Sequence, residues 1–245
     1  MINLVFECHE LLKDCGFLYA VCGGYALELF IKKKIRSHSD IDVSIFEEDR
    51  QKIVGFLIGK GWNVYEHKYD WVDNKKSDSF LRKIVDTNDE GLKSINQVWA
   101  IKPDCSFIDV RLRHDECYIY DYEITNTEQL NFDYIGVSFN KCENGSFVFD
   151  SFNSQGKYIS RELDKAVLYT DDGIPYLAPE VNLFMNSHPA YLESEYHRVK
   201  SVLDFDIVAP MLQIESRKWF MNALETAYPD GLERLSYLRG LKSSV

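Results

Sequence analysis

The stretch Gly23-Gly24-Tyr25-Ala26-Leu27-Glu28, followed after eight residues by Ser37-His38-Ser39-Asp40-Ile41-Asp42-Val43-Ser44-Ile45-Phe46, decides how this chain is read. Ahead of it, Phe17 to Cys22 is a short apolar run that stops at the two glycines. Glycine accepts positive φ and lets other groups come close to the backbone, so run, Gly-Gly and helix make a strand-to-helix turn. The helix is expected over Tyr25 to Lys34, with Lys32, Lys33 and Lys34 in its last turn, where cations complement the helix dipole. The open N–H groups at its start form an anion site suited to a di- or triphosphate; an ordinary strand-to-helix turn is the plain alternative. Asp40 to Phe46 then alternates, with Ile41, Val43 and Ile45 apolar, and so predicts a strand with one buried face. On such a strand Asp40 and Asp42 leave the backbone on the same side. Two adjacent carboxylates repel unless a cation lies between them. Mg²⁺ suits the pair because it takes one or two carboxylates and fills its octahedron with water and phosphate oxygens. The competing reading is a solvated polar face, in a chain with 39 acidic residues. Asp204-x-Asp206 has the same spacing but falls in a predicted helix, where a step of two turns the side chains apart, so no metal is assigned there.

Outward from this block, Leu4, Val5, Cys8, Leu11, Leu12 and Cys15 follow one helical face and Gly16 sits where a helix ends. Glu47 to Lys60 predicts a second amphipathic helix closed by Gly61, and Trp62 to His67 a strand. Asp70 to Leu92 is polar and charged and is expected to be a loop, or a weak helix near Phe80 to Val85. Strands are predicted at Gln97–Lys102, Cys105–Arg113, Cys117–Ile124, Tyr134–Phe139 and Ser146–Phe152, the last two joined through a turn at Glu143-Asn144-Gly145. After Gly173 the pattern turns helical, with Pro179 and Glu180 in a first turn, Glu195 to Leu212 kinked at Pro210, then Ser216–Tyr228 and Gly231–Leu241. The order implies a layered α/β domain over residues 1–173 and a helical domain over 174–245.

Composition bounds the possibilities. The 245 residues, 45% of them apolar, can bury a real core, which excludes a disordered tail protein. No stretch approaches the roughly 20 apolar residues of a membrane span, and Glu7, His9 and Glu10 interrupt any signal-peptide core, so a soluble cytoplasmic protein is expected. With 28 Lys and Arg against 39 Asp and Glu the net charge is −11, which disfavours nucleic acid and would draw in a cationic small molecule, though solubility alone accounts for such acidity in many cytoplasmic proteins. The six cysteines contain no C-x-x-C pair and read as reduced thiols; His114 and Cys117 make only an isolated H-x-x-C.

Arg36 and His38 precede the acidic strand, where a guanidinium fork can grip phosphate and an imidazole can donate a hydrogen bond; each taken alone also fits an ordinary surface residue. A third acid on an adjacent strand would complete a metal site. In Cys105 to Arg113, Asp109 shares the polar alternation with Phe107 and Arg111. It could ligate the metal or act as general base toward a substrate hydroxyl. Asp104 competes for this place, but Lys102-Pro103 before it reads as a strand end, which favours Asp109.

The glycine pair, the acid at Glu28 and the Ser37-to-Val43 block together resemble the active-site signature of the nucleotidyltransferase superfamily. More narrowly, they resemble the aminoglycoside 2''-adenylyltransferase and lincosamide nucleotidyltransferase group. That group has Gly-Gly-Trp-Ala, a following acid, and an Arg-x-His-x-Asp-hydrophobic-Asp block at this distance. Tyr25 stands for the usual Trp and Glu28 for the usual Asp. Ile174 to Glu180 and Lys200 to Phe205 resemble the group's Pro-Glu and Lys-Asp-x-x-Asp-Phe helices, with departures at Asn186 and Ser201. The resemblance implies a nucleotidyltransferase-type mixed β-sheet flanked by helices, an α/β (α+β) fold, with a C-terminal helical domain. It implies transfer of a nucleoside monophosphate from an NTP, ATP by likeness, to a hydroxyl of a small molecule such as an aminoglycoside or lincosamide antibiotic. Gly23 and Gly24 would hold the phosphates and Arg36 and His38 steady them. Asp40 and Asp42 would bind two Mg²⁺, with Asp109 as third ligand or base. Two other readings stay open: a toxin-like enzyme modifying tRNA or protein, and a nucleotide-binding module without turnover. Oligomeric state and the preferred base are left open by the sequence.

Overall fold

In the computed structural model the alternation around Asp40 to Phe46 is realised as a strand end and strand whose apolar side chains are inside, Ile41 and Val43 at 0% exposure and Ile45 at 1%. The structure describes residues 2–72, 75–111, 118–119, 121–124, 129–150, 158–188, 192 and 195–229. Along the chain the elements are α1 (Ile2–Leu12), β1 (Tyr19–Cys22), α2 (Gly23–Ile31), β2 (Asp42–Phe46), α3 (Arg50–Gly59), β3 (Asn63–Val72), β4 (Lys75–Ile84) and β5 (Gln97–Ile101). They continue through β6 (Ile108–Arg111), β7 (Tyr118–Ile119), β8 (Asp121–Ile124), β9 (Tyr134–Glu143), β10 (Ser146–Val148) and β11 (Ser160–Glu162). The last are α4 (Leu163–Ala166), β12 (Val167–Tyr169), β13 (Pro175–Leu177), α5 (Pro179–Met185), α6 (Glu195–Val208) and α7 (Ile214–Ala227). Among the described residues no helix is long and apolar enough to cross a membrane.

The chain divides into two compact units, the first made of Met1–Val21 and Ser37–Asn140, the second of Cys22–Arg36 and Lys141–Val245. The first unit holds a mixed sheet in the order β1-β2-β9-β5-β3-β4-β7. β2 runs parallel to β9 in the register Asp42↔Gly136 to Phe46↔Asn140, while β9–β5, β5–β3 and β3–β4 are antiparallel. One face carries Val43, Ile45, Val137 and Phe139, and Arg50 at the start of α3 lies over the Phe139 ring at 4.9 Å. Leu4, Val5, Cys8 and Leu12 of α1 and Ile53, Val54 and Leu57 of α3 are buried as well. Each such side chain contributes about 1.5–3 kcal/mol by leaving water. Register puts Asp42, Gly136, Trp99 and Tyr65 in one row on the opposite face. Phe107 and Ile108 cover part of this face, packing with Tyr65, Leu81, Trp99, Ile101 and Tyr134.

The segment expected to be a loop or weak helix, Asp70 to Leu92, is largely strand, since β3 and β4 form a long antiparallel pair through Ile84. Its polarity hid it: Arg82 stands opposite Glu66 and pairs with it at 2.7 Å, so charge is neutralised across strands while Leu81 and Ile84 supply the buried positions. β6 is also placed otherwise than expected. It pairs with β8 in a separate two-stranded sheet, whereas the neighbours of β2 are β1 and β9.

In the second unit, residues 141–143 of β9 pair with β10, β10 pairs with β11, and β12 with β13. α2 packs on α5 and α6, and α5 on α7. Phe149, Phe184 and Trp219 meet edge-on or tilted at 5.1–5.8 Å, the favoured geometry for aromatic pairs. The predicted boundary near residue 173 falls in the turn between β12 and β13, where Gly173 has φ +79 and Thr170 N–H bonds the Ile174 carbonyl. α2 stops at Ile31, short of the three lysines, because Lys32 takes a left-handed φ of 54. Pro210 ends a helix and does not kink one: α6 closes at Val208 and Ala209–Met211 is a single 3₁₀ turn. The predicted helix Gly231–Leu241 lies outside the described residues, as do His114 and Cys117.

Candidate active site

The site is built first on β2. Its ladder is continued one residue earlier by the Gly136 N–H, which donates to the Ile41 carbonyl at 2.9 Å, so Asp40 and Asp42 flank a residue fixed to β9. Both aspartates are half-buried, and Ser39 Oγ donates to Asp40 Oδ1 at 2.8 Å. The buried Tyr134 phenol is held well above its ordinary value, first by loss of water and then by the carboxylates of Asp40 and Asp42. Both carboxylates thus act on the same buried hydroxyl.

Gly136 forms the floor under this pair. A Cβ at that position would stand 2.3 Å from Asp42 Oδ1, far inside contact distance. The Asp42 carboxylate therefore occupies the space a side chain would take. This half-buried acidic pair is suited to a divalent cation: negative charge is concentrated beside a neutral buried phenol. Among the described residues no group of three or more His, Cys, Asp or Glu is gathered to hold a metal ion, so the pair would share a cation with water and phosphate oxygens. The backbone of Asp109 lies in β6 opposite Glu123, and its side chain is outside what is described. Asp104 is exposed. His38 is buried at 4% exposure just before the acidic pair, in the first unit.

The second unit holds the glycine turn. Gly23 takes φ +63, the left-handed region that favours glycine, and α2 begins there. Its N–H donates to Asn182 Oδ1 at 2.8 Å, while Asn182 Nδ2 donates to the Leu177 carbonyl at 2.9 Å. One of the open N–H groups at the helix start is thus already bonded. Further along α2, the buried Glu28 accepts N–H bonds from Ile35 at 2.6 Å and Arg36 at 3.2 Å, fixing the loop that follows. The Arg36 guanidinium is gripped side-on by Asp204 of α6, Nε to Oδ1 and Nη2 to Oδ2, both at 3.0 Å. Asp204, assigned no metal from sequence and lying in the Lys200 to Phe205 resemblance, is 1% exposed and anchors Arg36.

Sequence reasoning passed over Gly136, Tyr134, Asn182 and Asp204. A lone glycine inside the apolar alternation Tyr134-Ile135-Gly136-Val137 is a signal of close approach, and it was available. Asn182 carries no local signal, because Gly23 is 159 residues away in the chain; Asp204 falls in the Lys200 to Phe205 resemblance, which does not name Arg36 as its partner.

Residues 4–138 match the family model described as aminoglycoside-2''-adenylyltransferase, more than half of the 245-residue chain. The chain belongs to this family. The matched span of this adenylyltransferase-family nucleotidyltransferase runs from α1 through Gly23, Gly24, Arg36, His38, Asp40, Asp42 and Asp109 to Gly136. Among solved structures, similar chains include the lincosamide antibiotic adenylyltransferase LnuA bound to lincomycin, at 15% identity and TM-score 0.46, covering 84% of this chain and 98% of that one. ANT(2'')-Ia in complex with adenylyl-2''-tobramycin is similar at 8% identity and TM-score 0.43, covering 91% and 95%. An antigenic nucleotidyltransferase-like protein from Paracoccidioides brasiliensis is similar at 12% identity and TM-score 0.42, covering 99% and 93%. No curated protein matches the chain significantly.

Proposed function

We propose that this family member is a Mg²⁺-dependent nucleotidyltransferase that moves a nucleoside monophosphate from an NTP, ATP first, to a hydroxyl of an aminoglycoside or lincosamide antibiotic. The observation that carries the reading is the half-buried pair Asp40 and Asp42 on one side of the strand end, beside Tyr134, in a chain of this family. Asp40 and Asp42 would hold the metal. When bound, Mg²⁺ neutralises charge growing on the α-phosphoryl oxygens and on the departing pyrophosphate. The acceptor oxygen forms a bond to the α-phosphorus as the bond to the pyrophosphate oxygen breaks, and the hydroxyl proton passes to a carboxylate, for which Asp109 is the candidate. Its support is the packing of Phe107 and Ile108 on the sheet face that bears Asp42, which brings the start of β6 over that face. At the start of α2, Gly24 would offer its backbone N–H to phosphate, since the Gly23 N–H is spent on Asn182. His38 would add a donor. Arg36, whose guanidinium is clasped by Asp204, would steady the triphosphate. The net charge of −11 favours an amine-bearing acceptor.

The test is pyrophosphate release with Mg²⁺ and each NTP against a panel of aminoglycosides and lincosamides. Acceptor-dependent release is expected, reduced at least ~10²-fold in Asp40→Asn and Asp42→Asn, as loss of a principal electrostatic group costs in other active sites. Near-normal turnover in either variant, with the fold intact by circular dichroism, removes this pair from the mechanism.

A further inference from the structure

Gly136 faces Asp42 directly in the parallel β2–β9 register and Trp99 in the antiparallel β9–β5 register. Across this row the backbone of β9 is the only thing Gly136 offers, and the Asp42 carboxylate lies down onto it. The nearest heavy atoms to an added Cβ are Asp42 Oδ1 at 2.3 Å, Asp42 Cγ at 3.5 Å and the Tyr134 hydroxyl at 3.8 Å. The conflict is thus with one movable side chain, and no backbone atom is among these neighbours. Gly136 has no positive φ that would demand glycine for conformational reasons. Its missing side chain matters only for what lies above it. Trp99 and Tyr134 share this face of the sheet, with rings 5.6 Å apart and edge-on.

We propose that Gly136 is a positioning residue for the metal-binding carboxylate: its bare backbone, bordered by Tyr134, sets the orientation in which Asp42 presents its oxygens to a divalent cation. The inference rests on the reading of Asp42 as a metal ligand. An alanine at 136 forces Oδ1 out of its seat by rotation of a short side chain, which the fold tolerates and cation geometry does not. Mg²⁺ accepts little departure from octahedral placement.

The experiment measures Mn²⁺ binding directly, by electron paramagnetic resonance of the free ion, in the full chain with a non-hydrolysable ATP analogue present. Wild type is expected to bind, Asp42→Asn to lose binding, and Gly136→Ala to bind at least ~10-fold more weakly, the usual cost of disturbing a ligand's support. Gly59→Ala, where a Cβ meets nothing within 4 Å, is the unaffected control. Melting temperatures of Gly136→Ala, Asp42→Ala and the double variant close a second cycle. The single Gly136→Ala change is expected to lower the melting temperature more than the same change in the Asp42→Ala background, because the obstructing carboxylate is then gone. Wild-type-like Mn²⁺ affinity in Gly136→Ala, with Asp42→Asn silent, overturns this inference and leaves the metal-site reading standing. Failure of wild type to bind Mn²⁺ overturns both. Equal loss of stability in the two backgrounds also overturns the inference, even where Gly136→Ala itself folds too poorly for titration.

Discussion

Asp204→Ala should be among the most damaging single changes in the second unit, because of what it leaves behind. The aspartate is 1% exposed and the Arg36 side chain 15%, and their contact is two parallel bonds of 3.0 Å. Removing one partner of a buried ion pair leaves the other charge without that carboxylate, which costs about 3–5 kcal/mol. Arg36 keeps some access to water, so the lower end applies, about 3 kcal/mol. For a chain of this length that converts to a fall in melting temperature of about 6–12 °C, at 2–4 °C per kcal/mol. The assay is urea unfolding followed by circular dichroism and tryptophan fluorescence, compared with thermal melts. Replacing both partners by apolar residues of similar size, Arg36→Met with Asp204→Leu, should recover most of the loss, since an apolar pair carries no desolvation cost. A loss below about 1 kcal/mol in Asp204→Ala, the size of an exposed pair, would refute the claim that this contact is buried and structurally required.

Two further outcomes follow from the same reasoning. Asn182→Ala strips the acceptor from the Gly23 N–H and the donor from the Leu177 carbonyl, and should cost about 1–3 kcal/mol in urea unfolding; an unchanged midpoint would show that the asparagine does not tie the glycine turn to α5. Burial pushes the Cys8 thiol far above the ordinary value of 9.0. A raised folded value means the contribution is complete below the unfolded value and is lost as pH rises past it. Stability should therefore decline from about pH 9 upward. Cys8→Ala should have a flatter melting-temperature profile above that pH than wild type, whereas parallel profiles would exclude a Cys8 contribution.

Several parts of this protein are local properties and were legible residue by residue. The alternation of Ile41, Val43 and Ile45 marks a strand with these three side chains inside, and all three are buried. Gly23 needs its left-handed φ to turn from strand to helix, and a dipeptide announces that. The polar stretch from Asp70 departs from expectation for the converse reason: β4 is held by its ladder to β3, in which Arg82 meets Glu66, and pairing between strands leaves no period in either one.

The sequence by itself determined the α/β alternation, the acidic pair and the glycine turn, because backbone sterics and side-chain period act over a few residues. Only the tertiary structure decided that Asp42 lies on the bare backbone of Gly136, that Gly23 gives its N–H to Asn182, and that Arg36 is clasped by Asp204. Those partners lie from 94 residues away, by register, to 159 and 168. Contacts at such separations exist only once the sheet and helices have packed, and close-packed interiors select them by shape and by the need to satisfy every buried charge and N–H group, which no local pattern encodes.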